Sequence, residues 1–228
     1  MVITSSWTRG KAAAYDACTG ENLWTVTLSH VQQIGRTRYL GEVQLGFGTD
    51  DKGLQIRDPL TGAHLTTIPG VRNFFESPFS GASVRVARRK QLLVCSEGKG
   101  LISKVPLISF AANSAAFNPD GRVLVSEAAG PIRCFDLMGK ELWRIQPPTG
   151  QHAIELSWSS DLQQWLGLML QYDGATRRIL VTVDEERIVE LVELGIEDFK
   201  FSPNARILFG TDRKVRSIPS GEVVWNFD

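Results

Sequence analysis

AYDACTGENLW (14–24), IRDPLTGAHL (56–65), CFDLMGKELW (134–143) and RSIPSGEVVW (216–225) are four copies of one phrase. Each leaves an apolar run, crosses a polar turn with a glycine at a fixed place, and opens a second run. Three of the four close on tryptophan: Trp24, Trp143 and Trp225. The turn glycines Gly20, Gly62, Gly139 and Gly221 stand 42, 77 and 82 residues apart. The two longer steps are each close to twice the first, which predicts degenerate copies near residues 100 and 180. SEGKGLISKV (96–105) and VTVDEERIVEL (181–191) stand there, each a run, a polar turn and a second run.

Working outward, a second phrase keeps the same period. VRNFFESPFS (71–80), SAAFNPDG (114–121), IELSWSSDL (154–162) and IEDFKFSPNA (196–205) align on Glu76, Phe117, Trp158 and Phe201, with steps of 41, 41 and 43. GTDDK (48–52) and GTDRK (210–214) add a third match. Three signals with one period establish an internal repeat of about 41 residues. Between the markers lie short β-branched or apolar runs bounded by Gly, Asp and Lys turns: VLVS, ILFG, LLVC, LGLML and VQLGF. No amphipathic helix of useful length is visible.

Four short strands per 40-residue unit is the pattern of a propeller blade. The units resemble WD40-like repeats in the order inner strand, SPDG-type turn, then three further strands. The TGxxLW pattern resembles the repeat of quinoprotein-type propellers. The sequence departs from the strict WD40 pattern, since no Gly-His pair opens a blade and no Trp-Asp pair closes one. The resemblance implies an all-β protein, a β-propeller of about six four-stranded blades in one domain over 1–228. The blades fall at about 1–28, 29–69, 70–108, 109–147, 148–194 and 195–228. Blade 1 has room for only three strands. A five- or seven-bladed count, or an incomplete ring, stays open. A tryptophan repeated at one position is expected to pack between neighbouring blades, so Trp24, Trp143 and Trp225 are read as core.

Composition adds limits. The 228 residues are 43% hydrophobic, with 25 basic and 25 acidic side chains and no net charge. Neutrality argues against a general nucleic-acid binder. No apolar run approaches the roughly 20 residues that span a bilayer, and the first residues lack the pattern of a signal peptide. Cys18, Cys95 and Cys134 are odd in number with no CxxC spacing, so a reducing, cytoplasmic setting is expected.

No catalytic motif is present: no GxSxG, Walker A loop, GxGxxG or HExxH. His30, His64 and His152 are isolated, with His30 and His152 expected in inter-blade connections and His64 opening an outer strand. No catalytic residue, cofactor or metal ligand is assigned. What remains is charge placement. In a propeller blade, the turn between the second and third strands emerges at one end and the other two turns at the opposite end. The first end gathers Arg88, Arg89, Lys90, Arg177, Arg178, Arg213 and Lys214, offset by acids that include Glu127, and is the candidate partner-binding face, with the acidic end as the alternative. The second gathers Asp16, Asp58, Asp120, Asp136, Asp184, Glu185 and Glu186. Phe79, in an apparent insertion after a Ser-Pro turn, is a candidate exposed anchor.

The expected function is a non-catalytic protein–protein interaction module, such as an inhibitor or immunity protein that caps a partner of the bacterial-toxin kind. The acidic end would suit a basic target. Two alternatives stand beside it: a subunit of a larger assembly whose incomplete blade is completed by a neighbour, and a small-molecule, sugar-binding or hydrolytic propeller using the central channel.

Overall fold

The computed structural model describes residues 2–6, 11–28, 31–39, 42–49, 52–77, 82–87, 91–96, 100–109, 111–172, 176–202 and 204–227. Among them there is no helix, and the strands form six antiparallel sheets. Phe79, Arg88, Arg89 and Lys90 lie outside the described residues, as does His30. The chain divides into two compact units, the first reaching Val105 and the second taken up from Pro106.

In the first unit, sheet 1 has three strands, β1 (Val2–Ser6), β2 (Lys11–Tyr15) and β3 (Asn22–Thr27). Sheet 2 has four: β4 (Val31–Tyr39), β5 (Glu42–Thr49), β6 (Gly53–Arg57) and β7 (His64–Ile68). Sheet 3 follows with β8 (Val71–Glu76), β9 (Ala82–Ala87), β10 (Gln91–Ser96) and β11 (Gly100–Pro106). In the second unit, sheet 4 is β12 (Ala112–Phe117), β13 (Arg122–Glu127), β14 (Ile132–Asp136) and β15 (Glu141–Ile145). Sheet 5 is β16 (Gln151–Ser159), β17 (Gln164–Tyr172), β18 (Thr176–Val183) and β19 (Ile188–Gly195). Sheet 6 is β20 (Phe199–Phe201), β21 (Ile207–Gly210), β22 (Lys214–Ser217) and β23 (Val223–Asn226). In every sheet the order in space is the order in the chain, so each is an up-and-down meander. Six such sheets, the first three-stranded, are the all-β arrangement that the repeat implies.

The burial of the strands explains their composition. The middle strands β13 and β17 are buried along nearly their whole length, on both faces. They therefore read as continuous apolar runs, VLV and WLGLML, rather than as alternations. The outer strand β15, ELWRI, alternates between half-buried and exposed residues. Apolar layers sit between successive sheets: Ala12, Ala14, Trp24, Leu45 and Phe47 join sheets 1 and 2, while Leu54, Ile56, Val71 and Phe74 join sheets 2 and 3. Gly46 of β5 admits the Phe74 ring, because a Cβ at that position would stand 2.5 Å from Phe74 Cζ. In the second unit Leu124, Ile132, Cys134, Leu156 and Met169 join sheets 4 and 5, and Leu168, Leu180, Phe199 and Leu208 join sheets 5 and 6.

Three expectations about single residues change. Trp24 is 7% exposed and donates from Nε1 to the Pro59 carbonyl at 3.0 Å. Trp143 is half-buried against the layer between sheets 4 and 5. Trp225, at the same repeat position, is 62% exposed and meets Phe227 with ring centroids 6.4 Å apart, so it is no core residue. Glu127 is not a surface acid. Its side chain is 0% exposed and pairs with Arg133 at 2.9 Å, itself 7% exposed. Arg133 also reaches Glu141, the Pro106 carbonyl at 2.9 Å and the face of Phe135 at 4.7 Å. A buried pair of this kind persists because its remaining donors and acceptors are met. Third, His152 lies within β16, stacked on Tyr172 at 5.6 Å, and not in a connection.

Candidate functional site: an acidic, tryptophan-lined pocket between sheets 4 and 5

The last hairpin of four sheets turns on an aspartate. Asp16 Oδ1 accepts from the Cys18 and Thr19 amides, both at 2.8 Å. Asp58 Oδ1 accepts from Leu60 N at 2.9 Å and Thr61 N at 2.7 Å. Asp136 Oδ1 accepts from Met138 and Lys140, and Asp184 Oδ1 from Glu186 and Arg187. These are side-chain turns that satisfy amides the tight hairpin would otherwise leave open. Charge placement alone read Asp58, Asp136 and Asp184 as a binding face. The structure engages one oxygen of each in its own turn. The hydrogen bond from the Thr61 amide is the largest cause holding the Asp58 carboxyl below its usual range, and the Thr19 amide does the same for Asp16.

Sheet 5 has the shortest of these four turns. Its hairpin is short, with Asp184 N donating to the Arg187 carbonyl at 3.1 Å, and Glu185 and Glu186 form the tip. Among the described residues neither glutamate's carboxylate makes a hydrogen bond or an ion pair. Glu185 faces a pocket of about 320 Å³ inside the second unit. Sheet 4 lends its first turn, with Asn118, Asp120 and Arg122, and Trp143 from β15. The first hairpin of sheet 5 contributes Trp158, Gln163, Gln164 and Trp165, and its last hairpin Thr182 to Glu185. Trp158 and Trp165 are direct cross-strand partners in β16 and β17 and meet edge to face, with ring centroids 4.9 Å apart and planes at 73°. Trp158 Nε1 is buried with no hydrogen-bond partner.

Three carboxylates and one guanidinium line this pocket, so it is acidic. Asp120 Oδ2 accepts from Asn118 Nδ2 at 3.3 Å, and Asn118 Oδ1 holds the Arg122 amide at 2.8 Å, which fixes the turn. Gln163 has φ +53°, where the same turn carries Gly121 in sheet 4 and Ala205 in sheet 6. Its Nε2 donates to the Ser160 carbonyl. Behind the pocket, Cys134 is the direct cross-strand partner of Trp143. Burial is the largest cause raising its thiol to about 12, and Glu185 adds to the rise while Arg122 opposes it. The thiol is therefore an uncharged core group and no nucleophile.

Two of the basic-end residues are held in ion pairs. Arg177 pairs with Glu193 at 3.2 Å and Arg178 with Asp198. Arg178 is mostly buried, with Nε and Nη1 lacking hydrogen-bond partners. Arg213 stands exposed at φ +61° in its turn and Lys214 is half-buried. Arg216, beside them, closes on Asp212 and covers the Phe199 ring at 4.9 Å. Among the described residues no group of three or more His, Cys, Asp or Glu is placed to hold a metal ion. Asp120, Asp184 and Glu185 were legible as turn acids. Trp158, Trp165, Gln163 and Gln164 were missed as site residues, although two tryptophans flanking one tight turn mark a cross-strand pair.

No family model matches the chain, and no curated protein matches it. Solved structures do: 1145 chains are similar. One is hydrazine synthase from Kuenenia stuttgartiensis, with a TM-score of 0.72 and 9% identity over 95% of this chain and 73% of that one. At that identity the likeness speaks for the fold alone, and together with the six meanders it shows that this chain is an all-β protein of the β-propeller fold.

Proposed function

We propose that this chain is a non-catalytic protein-interaction module that docks a basic partner protein at the pocket between sheets 4 and 5. The observation that carries the reading is Glu185, whose carboxylate has no partner among the described residues, beside three tryptophans in an acidic pocket. Aromatic anchors within a polar rim are what concentrates binding energy in protein interfaces. An inhibitor or immunity protein capping a basic protein such as a nuclease fits this chemistry. Cys18, Cys95 and Cys134 are all free thiols, which supports a cytoplasmic location. No helix of the described residues is long and apolar enough to cross a membrane.

The test is capture from lysate of the source cells at low and high salt. Wild type is compared with Glu185→Lys/Glu186→Lys and with Arg213→Glu/Lys214→Glu. The expected result is a basic protein held by wild type and by the Arg213/Lys214 variant, and lost from the Glu185/Glu186 variant. A partner lost only from the Arg213/Lys214 variant, or none with all three proteins folded, overturns the reading.

A second reading, a subunit of a larger assembly, is favoured by β23. Val223, Val224, Trp225 and Phe227 are exposed on and beside an outer strand. An apolar strand edge of this kind invites pairing. Light scattering on wild type and Trp225→Glu decides it: a multimer that falls to monomer in the variant supports it, and a monomeric wild type removes it.

A further inference from the structure

Resting on the docking reading above, we infer that the pocket seats one cationic side chain of the partner, the guanidinium of an arginine. The walls select the charge. Three carboxylates, of Asp120, Asp184 and Glu185, and one guanidinium, of Arg122, line the pocket; Arg187 stands 3.9 Å from Asp184, and an excess of negative charge remains. Glu185 brings a carboxylate with no partner among the described residues, the cheapest kind to engage because no existing bond is broken.

The walls also select the shape. Trp143, Trp158 and Trp165 present indole surface, and tryptophan is the ring that attracts a cation most strongly. A guanidinium is planar, weakly hydrated and carries five N–H donors in a fork, so it stacks on an indole while bonding at its edge. An ammonium is a compact, strongly hydrated point charge that gains less from such a wall. The acceptors for the fork are the carboxylates and the side-chain oxygens of Gln163 and Gln164. Gln163 Nε2 is already directed to the Ser160 carbonyl, which leaves its oxygen for a ligand. The volume of about 320 Å³ lies at the small end of ligand pockets, sized for a side chain.

The test uses the whole protein with indole N–H resonances of Trp143, Trp158 and Trp165 assigned through Trp→Phe variants. The titrants are N-acetyl-arginine amide, its neutral isostere N-acetyl-citrulline amide, N-acetyl-lysine amide and methyl glucoside. Saturable shifts of these resonances by the arginine amide are expected, about tenfold weaker with citrulline and weaker again in Glu185→Gln. A thermal melt shows that the variant is folded. Equal shifts by citrulline, a preference for the glucoside, or no shift by the arginine amide overturn the inference. If a basic protein is still captured through Glu185 and Glu186 while the arginine amide shifts nothing, the docking reading survives and only the arginine assignment falls. If the amide binds and no partner is captured, the docking reading falls and the pocket remains a guanidinium site.

Discussion

Gly20 and Gly62 hold the same place in two hairpin turns, at φ +73° and +69°, yet only one of them is covered. A Cβ on Gly62 would meet Trp24 Cδ2 at 2.8 Å, whereas a Cβ on Gly20 would meet nothing within 4 Å. Both positions were legible, since a left-handed turn residue draws glycine, but the tryptophan above one of them was not. The pair separates backbone strain from packing. Gly20→Ala is expected to cost only the left-handed penalty of about 1–2 kcal/mol. Gly62→Ala carries the same penalty plus displacement of a buried indole from its bond to Pro59, a further cost of about 1–3 kcal/mol. Urea denaturation of the two variants checks this, and equal losses would show that Trp24 does not press on that turn. Trp225 makes the same point from the other side. Its repeat position predicts core, and its 62% exposure shows that position in a repeat does not decide burial. What decides it is whether a neighbouring surface stands against the side chain.

At the scale of the element, the aspartate hairpin is the best-marked unit of the chain, and its acids also serve the turn itself. D-x-x-x-G in AYDACTG and IRDPLTG is turn chemistry, and the structure uses it so: Asp16 N donates to the Glu21 carbonyl at 2.9 Å and Asp58 N to Ala63 at 2.9 Å. A list of loop charges cannot distinguish an acid bonded into its own turn from one facing outward. The bonding has a consequence in pH. The carboxyls of Asp16 and Asp58 are held below their usual range by turn amides, and that of Asp212 chiefly by Arg216. For Glu141, burial acts upward and is outweighed by Arg133 and Arg144, so it too lies low. A folded-state pKa below the unfolded one gives stability that is complete above the unfolded value of about 4 and is lost as pH falls through the folded value. The melting temperature is therefore expected to hold on the acid side until about pH 5 and to fall below about pH 4. Asp58→Ala is expected to melt below wild type at neutral pH, and the gap is expected to close as the acid limit is approached. A gap unchanged across the series would show that the carboxylate charge contributes nothing to the turn.

At the scale of the molecule, fold and site were unequally legible for one reason. A period of about 41 residues is carried by spacing, which can be read even where the residues of the copies differ. The pocket has no spacing. It is assembled from a turn at 118–122, one tryptophan at 143, a hairpin at 158–165 and another at 182–185, brought together only when sheets 4 and 5 pack. Formal neutrality hides it further, because 25 bases cancel 25 acids in the sum while the Glu185 and Glu186 carboxylates at one hairpin tip have no partner among the described residues. A molecule with no net charge exerts little long-range pull, so a basic partner would be steered only from within about a Debye length of that tip. The rate of association with the captured partner, measured by surface plasmon resonance, is thus expected to fall by up to about tenfold between about 0.05 and 0.5 M salt. In Glu185→Lys/Glu186→Lys the dependence should flatten or reverse, because the local field has changed sign while the rest of the surface has not. In Arg213→Glu/Lys214→Glu it should remain as in wild type. A slope unchanged by the glutamate reversal would place the steering charge elsewhere on the molecule and remove the pocket between sheets 4 and 5 as the docking point.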